Sequence, residues 1–137
     1  MVEIIPSINE EVFEEISRKI KIVEPYVKWA HIDVYDGTFT QHSSWHNPKD
    51  LRAFETKLNL EIHLMIADMD ARYGDWILPN VSRIIFHLEA ARDPHFVIEK
   101  IHTAGKEAGA AIRPETDWQK LEPFCATADL VQLLAVP

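Results

Sequence analysis

The chain has 137 residues, 47% of them hydrophobic and 26% charged, enough apolar material for one packed domain and not for two. A formal net charge of −8 argues against nucleic acid as a partner, because phosphate neutralisation needs clustered cations. Five glutamates within the first 15 residues argue against a signal peptide or presequence, no apolar run reaches membrane-spanning length, and a lone cysteine, Cys125, excludes an internal disulfide, so a cytoplasmic setting is expected.

In chain order, strands and helices alternate. A first strand is expected at 3–7, and Asn9 precedes a helix whose Val12, Ile16, Ile20 and Val23 form one apolar stripe. A second strand is expected at 29–34, and Asp36-Gly37 shortly after it predicts a turn. Asn47-Pro48 places a capping side chain before a proline at the first helical position. The third strand is expected at 60–66, with Pro79 stopping the helix that follows, and the fourth at 83–88. Asp93-Pro94 opens another helix and Gly105 ends it. A fifth strand at 109–113 leads to Thr116 and Gln119, which read as a capping box, and a sixth is expected at 130–136.

Strand starts recur about every 25 residues, so the strands are expected to be parallel, joined by right-handed helical crossovers. Helices on both sides account for near-continuous apolar runs such as Arg83–Leu88. An open doubly wound sheet and a (β/α) barrel both satisfy this pattern. Polar groups near the C-terminal ends of several strands favour the barrel: Ser7, His31 with Asp33, His63, His87 with Glu89, and Arg113. No glycine-rich dinucleotide or P-loop signature is present. A complete barrel takes eight units and about 250 residues, so the expectation is a single partial domain over 1–137, with about six strands and five helices.

Side chains two apart on a strand share a face, so His31 and Asp33 project together, and His63 is offered the same way from the next strand. Two imidazoles and a carboxylate suit one divalent metal ion, Zn, Fe, Mn or Co, and ligand identity does not choose among them. The alternative for His31 and Asp33 is a buried hydrogen-bonded pair. Elsewhere, His42 and His46 read as solvated loop residues, and His95 and His102 as the surface of a helix. The four tryptophans, at 29, 45, 76 and 118, and Cys125 read as packing residues.

Pro6-Ser7-Ile8, His31-Ile-Asp33-Val-Tyr-Asp36-Gly37 and His63-Leu-Met65, continued by His87-Leu-Glu89-Ala90 and Leu133-Leu-Ala-Val136, resemble the ribulose-phosphate 3-epimerase family in order and register. The resemblance implies a TIM-type ribulose-phosphate-binding barrel that interconverts ribulose and xylulose 5-phosphates, a sugar phosphate being the expected small-molecule partner. It implies that His31, Asp33 and His63 are metal ligands, with Asp33 also one of two acid/base carboxylates. Ser7 and His63 would contact substrate, and Met65 would line the pocket. Proton removal beside a ketone leaves an enediolate, whose charge a bound cation stabilises.

In the family the second acid/base Asp, also a metal ligand, lies on the seventh strand, and phosphate-binding loops follow the sixth, seventh and eighth; this sequence ends at Pro137, where the first of those loops would begin. Tyr35 stands at a usual Met, and Arg113 and His42 at usual Asn positions. Two further readings are a non-catalytic barrel fragment serving as a binding or assembly module, and a related sugar-phosphate epimerase of different substrate. Open sheet edges predict a homo-oligomer or a partner that covers them.

Overall fold

The structure, a computed structural model, describes residues 2–134. Six parallel strands lie side by side in chain order: β1 (Ser7–Ile8), β2 (Trp29–Tyr35), β3 (Asn59–Met65), β4 (Val81–His87), β5 (Glu107–Ile112) and β6 (Leu130–Leu133). A doubly wound sheet needs a point where the strand order turns back, and this order never does. The sheet also curls. Gln132 on β6 comes within 3.4 Å of His63 on β3, whereas strands three places apart in a flat sheet are separated by about 14 Å. Sequential parallel strands, outer helices and an inward curl make an incomplete TIM-type barrel.

Alternation along the strands sorts the side chains by face. Ala30, Ile32 and Val34 of β2, Leu60, Ile62 and Leu64 of β3, and Ile84 and Phe86 of β4 join the principal buried cluster with residues of the outer helices. Those helices are α1 (Phe13–Val23), contributing Ile16 and Ile20, and α3 (Pro94–Thr103), contributing Val97, Ile98 and Ile101. The opposite face carries His31, Asp33, Glu61, His63 and His87, and its buried apolar members Met65, Ile85 and Ala111 stand apart from the outer cluster. Gly109 has to lack a side chain here, because a Cβ would lie 2.7 Å from Ile85 Cγ1.

The crossovers are less helical than expected. The connection from β2 to β3 has a 3-10 segment, Pro48–Ala53, and that from β5 to β6 has Trp118–Phe124; neither contains an α-helix. Pro123 inside the latter lacks the N–H that an α-helical turn would use. In the former, Asn80 Nδ2 donates to the carbonyls of Leu51 and Phe54, binding the chain where it leaves the segment. Between β3 and β4 lie the short α2 (Met69–Arg72) and a 3-10 turn, Tyr73–Trp76. Leu88–Ala90 forms another 3-10 turn after β4.

The predicted caps before Pro48 and Pro94 hold, with Asn47 accepting from Lys49 N–H and Asp93 from Phe96 N–H, but Pro48 opens a 3-10 segment and only Pro94 an α-helix. The third cap moves by one residue: Asp117, not Thr116, accepts from Gln119 N–H, while the Thr116 hydroxyl donates to Glu89. Gly105 at φ +74° ends α3, with Lys106 N–H returning to the Ile101 carbonyl. β1 is shorter than the expected 3–7, since Pro6 has no N–H to donate, although its carbonyl still accepts from His31 N–H. The expected sixth strand, 130–136, is seen to Leu133, and 135–137 lie outside the described residues. Trp45 and Trp76 pack in the core as expected, but Trp118 and Cys125 are exposed.

Candidate functional site

Strand register assembles the inner-face polar groups. Ser7 is level with His31, His31 with Glu61, and Asp33 with His63. One donor atom from each of His31, Asp33 and His63 falls within 4.8 Å of the others. Asp33 Oδ1 is the hub, 3.0 Å from both His31 Nε2 and His63 Nδ1. An ion about 2.1 Å from two donors at right angles separates them by about 3.0 Å, so this spacing and the mixed N/O donor chemistry fit a divalent metal.

The other ring nitrogens are also engaged. His31 Nδ1 lies 2.6 Å from Glu61 Oε1, and Arg83 holds the second oxygen of that carboxylate. A carboxylate behind an imidazole fixes the ring and strengthens it as a ligand. His63 Nε2 lies 2.9 Å from Nε2 of His87. Sequence reasoning passed over Glu61, although it stands two residues before His63 on one strand and therefore shares its face. His87, noted at its strand end, turns out fully buried against His63.

Burial opposes charging of His31, but hydrogen bonds to Asp33 and Glu61 outweigh it and raise the imidazole to about 9. Burial likewise disfavours the Asp33 carboxylate, yet hydrogen bonds from His31, His63 and Ser7 hold it well below the usual range. Burial lowers His63, and burial together with its neighbour His63 lowers His87 to about 4, so both rings are neutral near pH 7. Tyr35 is pushed up to about 12 by burial and by the nearby Asp33 charge.

An open cleft of about 1490 Å³ lies at the C-terminal ends of the strands, lined by Asp33, Tyr35, Met65, His87 and Arg113 with the loop after β2. That is the end at which barrel enzymes place their chemistry. His31 and His63 are not among its lining residues and reach it through Asp33. Ser7 does not line the cleft either; it donates to Asp33 Oδ2 at 2.8 Å, and Asn9 donates to the Tyr35 hydroxyl. Arg113 crosses to the loop after β2, donating to the Phe39 carbonyl with its guanidinium 3.7 Å from the ring centroid. His42 lines the cleft from that same loop, whereas His46, His95 and His102 lie on the surface away from it.

A profile of the Ribulose-phosphate 3 epimerase family matches residues 3–137. A protein of Rhodobacter capsulatus named ribulose-phosphate 3-epimerase is 30% identical over 138 residues, an alignment covering 98% of this chain and 60% of that protein. Proteins of the same name from Synechocystis and Bacillus subtilis are each 32% identical, over 96% and 99% of this chain and 59% and 64% of theirs. The chain thus spans about three fifths of the length of these relatives.

Proposed function

The chain belongs to the ribulose-phosphate 3-epimerase family, and from that premise we propose that it contributes a divalent-metal site and one acid/base carboxylate to the epimerisation of ribulose 5-phosphate to xylulose 5-phosphate. The observation that carries the proposal is the meeting of His31, Asp33 and His63 at one point beside a cleft at the C-terminal end of the sheet. His31 Nε2, Asp33 and His63 Nδ1 would hold the ion, which is Zn, Fe, Mn or Co by donor type. When bound, a divalent cation polarises a carbonyl oxygen and stabilises the negative charge that enolisation creates.

The protein's own groups supply the rest. Asp33 stays ionised through its hydrogen bonds, as a carboxylate that takes a proton must be. The Ser7 hydroxyl keeps Oδ2 oriented by donating to it, and a substrate contact for Ser7 would require that bond to be exchanged. Met65 gives the cleft an apolar wall next to Asp33, and His63 anchors Asp33 from below. The same proposal includes a covering partner or a second copy. Among the described residues, Val131 and Leu133 on β6 are exposed apolar side chains that such a partner would cover.

The direct experiment incubates the chain with each metal in turn and ribulose 5-phosphate, and follows xylulose 5-phosphate. Turnover that disappears in Asp33→Asn supports the proposal. A folded chain that produces none with any of the four metals removes activity from the isolated chain. Light scattering addresses assembly, where a monodisperse monomer counts against self-association.

A further inference from the structure

Resting on the sugar-phosphate reading above, we propose that Tyr35 determines specificity: its hydroxyl donates a hydrogen bond to a substrate hydroxyl on a carbon flanking the reacting pair. Tyr35 is the last residue of β2, two beyond Asp33, so both side chains stand on the inner face, and both line the cleft. An advance of two strand residues is about 6.6 Å, which sets Tyr35 one layer nearer the mouth than the carboxylate. A group in that layer meets not the carbons that exchange the proton but their neighbours along the sugar.

The residue is held at both ends. Its N–H donates to the Ser44 hydroxyl at 3.0 Å, its carbonyl accepts from Ser44 N–H at 2.9 Å, and Ser44 is buried. At the other end, Asn9 Nδ2 reaches over from just beyond β1 and donates to the phenol oxygen at 2.7 Å. A donor at that distance takes a lone pair of the oxygen and turns the hydroxyl hydrogen away from Asn9. An O–H whose oxygen already accepts is also the stronger donor, since linked hydrogen bonds polarise one another.

Among the described residues, no protein acceptor takes that hydrogen. Asp33, one layer below, is engaged elsewhere: Oδ1 with His31 and His63, Oδ2 with the Ser7 hydroxyl. Met65, level with Tyr35 on β3, already supplies an apolar wall to the cleft. What the pinned hydroxyl adds is direction. A sugar carbon chain offers the missing acceptor, and a ligand lacking that oxygen would leave the donor unpaired.

The test measures ligand affinity by titration calorimetry in the presence of cobalt(II). The ligands are ribulose 5-phosphate and its analogues without the hydroxyl at carbon 1 or at carbon 4. In Tyr35→Phe, affinity for ribulose 5-phosphate should fall about 2- to 12-fold, the worth of one neutral hydrogen bond. One of the two deoxy analogues should show a similar loss on the wild type and then bind wild type and Tyr35→Phe equally. A merely structural disturbance would weaken every ligand alike. Equal affinity of the two proteins for ribulose 5-phosphate overturns the inference, as does a loss in Tyr35→Phe that both deoxy analogues share in full.

Binding that depends on Tyr35 in this way, without formation of xylulose 5-phosphate, ends the epimerisation reading and leaves the Tyr35 contact standing. Turnover by a wild type that Tyr35→Phe matches in affinity does the reverse, and a wild type that binds none of the three ligands overturns both. Should Tyr35→Phe fail to fold, Asn9→Ala replaces it. Freed from its partner, the hydroxyl should lose part of the discrimination between ribulose 5-phosphate and the sensitive analogue; undiminished discrimination overturns the inference.

Discussion

His31 lies between two carboxylates, Asp33 at 3.0 Å and Glu61 at 2.6 Å, and its charge helps both of them stay ionised, together with Ser7 at Asp33 and Arg83 at Glu61. Its folded value of about 9 exceeds the ordinary 6.5, so the stabilisation is complete below pH 6.5 and disappears as pH rises through about 9. Chemical denaturation of cation-free protein should therefore show falling stability across that interval, and His31→Gln should flatten the fall; an unchanged alkaline limb in the variant contradicts the ion-pair assignment. An ion on Nε2 must also displace this proton. Much of this was legible: His31 and Asp33 follow from two-residue spacing, and His63 is offered from the next strand. Glu61 was as readable by the same rule, but its role depends on which strand lies beside β3 and in what register.

α3 is the best-defined helix on the outer face, with Asp93 accepting from Phe96 N–H, Pro94 at its first position and Gly105 just past its end. Asp70 adds to this start by accepting from the N–H groups of Arg92 and Asp93. Replacing Asp93 by Ala should cost about 0.5–2 kcal/mol in urea unfolding, the usual range for a lost N-cap. A change under a few tenths would mean that Asp70 alone orders the turn. These boundaries were readable because caps act locally. The 3-10 segments were not, since their hydrogen bonding depends on remote groups such as Asn80 and on Pro123 within an otherwise helical pattern. α1 makes the same point differently: Val12 precedes it without a side-chain cap, while Asn9 turns to Tyr35 across the sheet.

For the whole molecule, the sheet's curl is the decisive feature, because it gathers the C-terminal ends of β2, β3 and β4 with the loop after β2 around one cleft. An ion gripped by groups from β2 and β3 should stabilise the folded chain by mass action, by about 2.7 kcal/mol at a free concentration 100-fold above Kd. Thermal unfolding with zinc or cobalt should thus shift upward, reverse on adding EDTA, and lose the shift in His63→Ala. No shift at saturating metal would leave the three side chains as a hydrogen-bonded cluster only.

By itself the sequence determined the parallel succession of strands, the face on which each strand residue stands and the identity of three candidate ligands. Periodicity and local capping are short-range properties, written within a few residues of where they act. Tertiary structure alone decided that strand order never reverses, that Glu61 backs His31, and that His87 meets His63 within hydrogen-bond distance. Those relations join residues 24 to 30 positions apart, and they exist only once neighbouring strands pair in register.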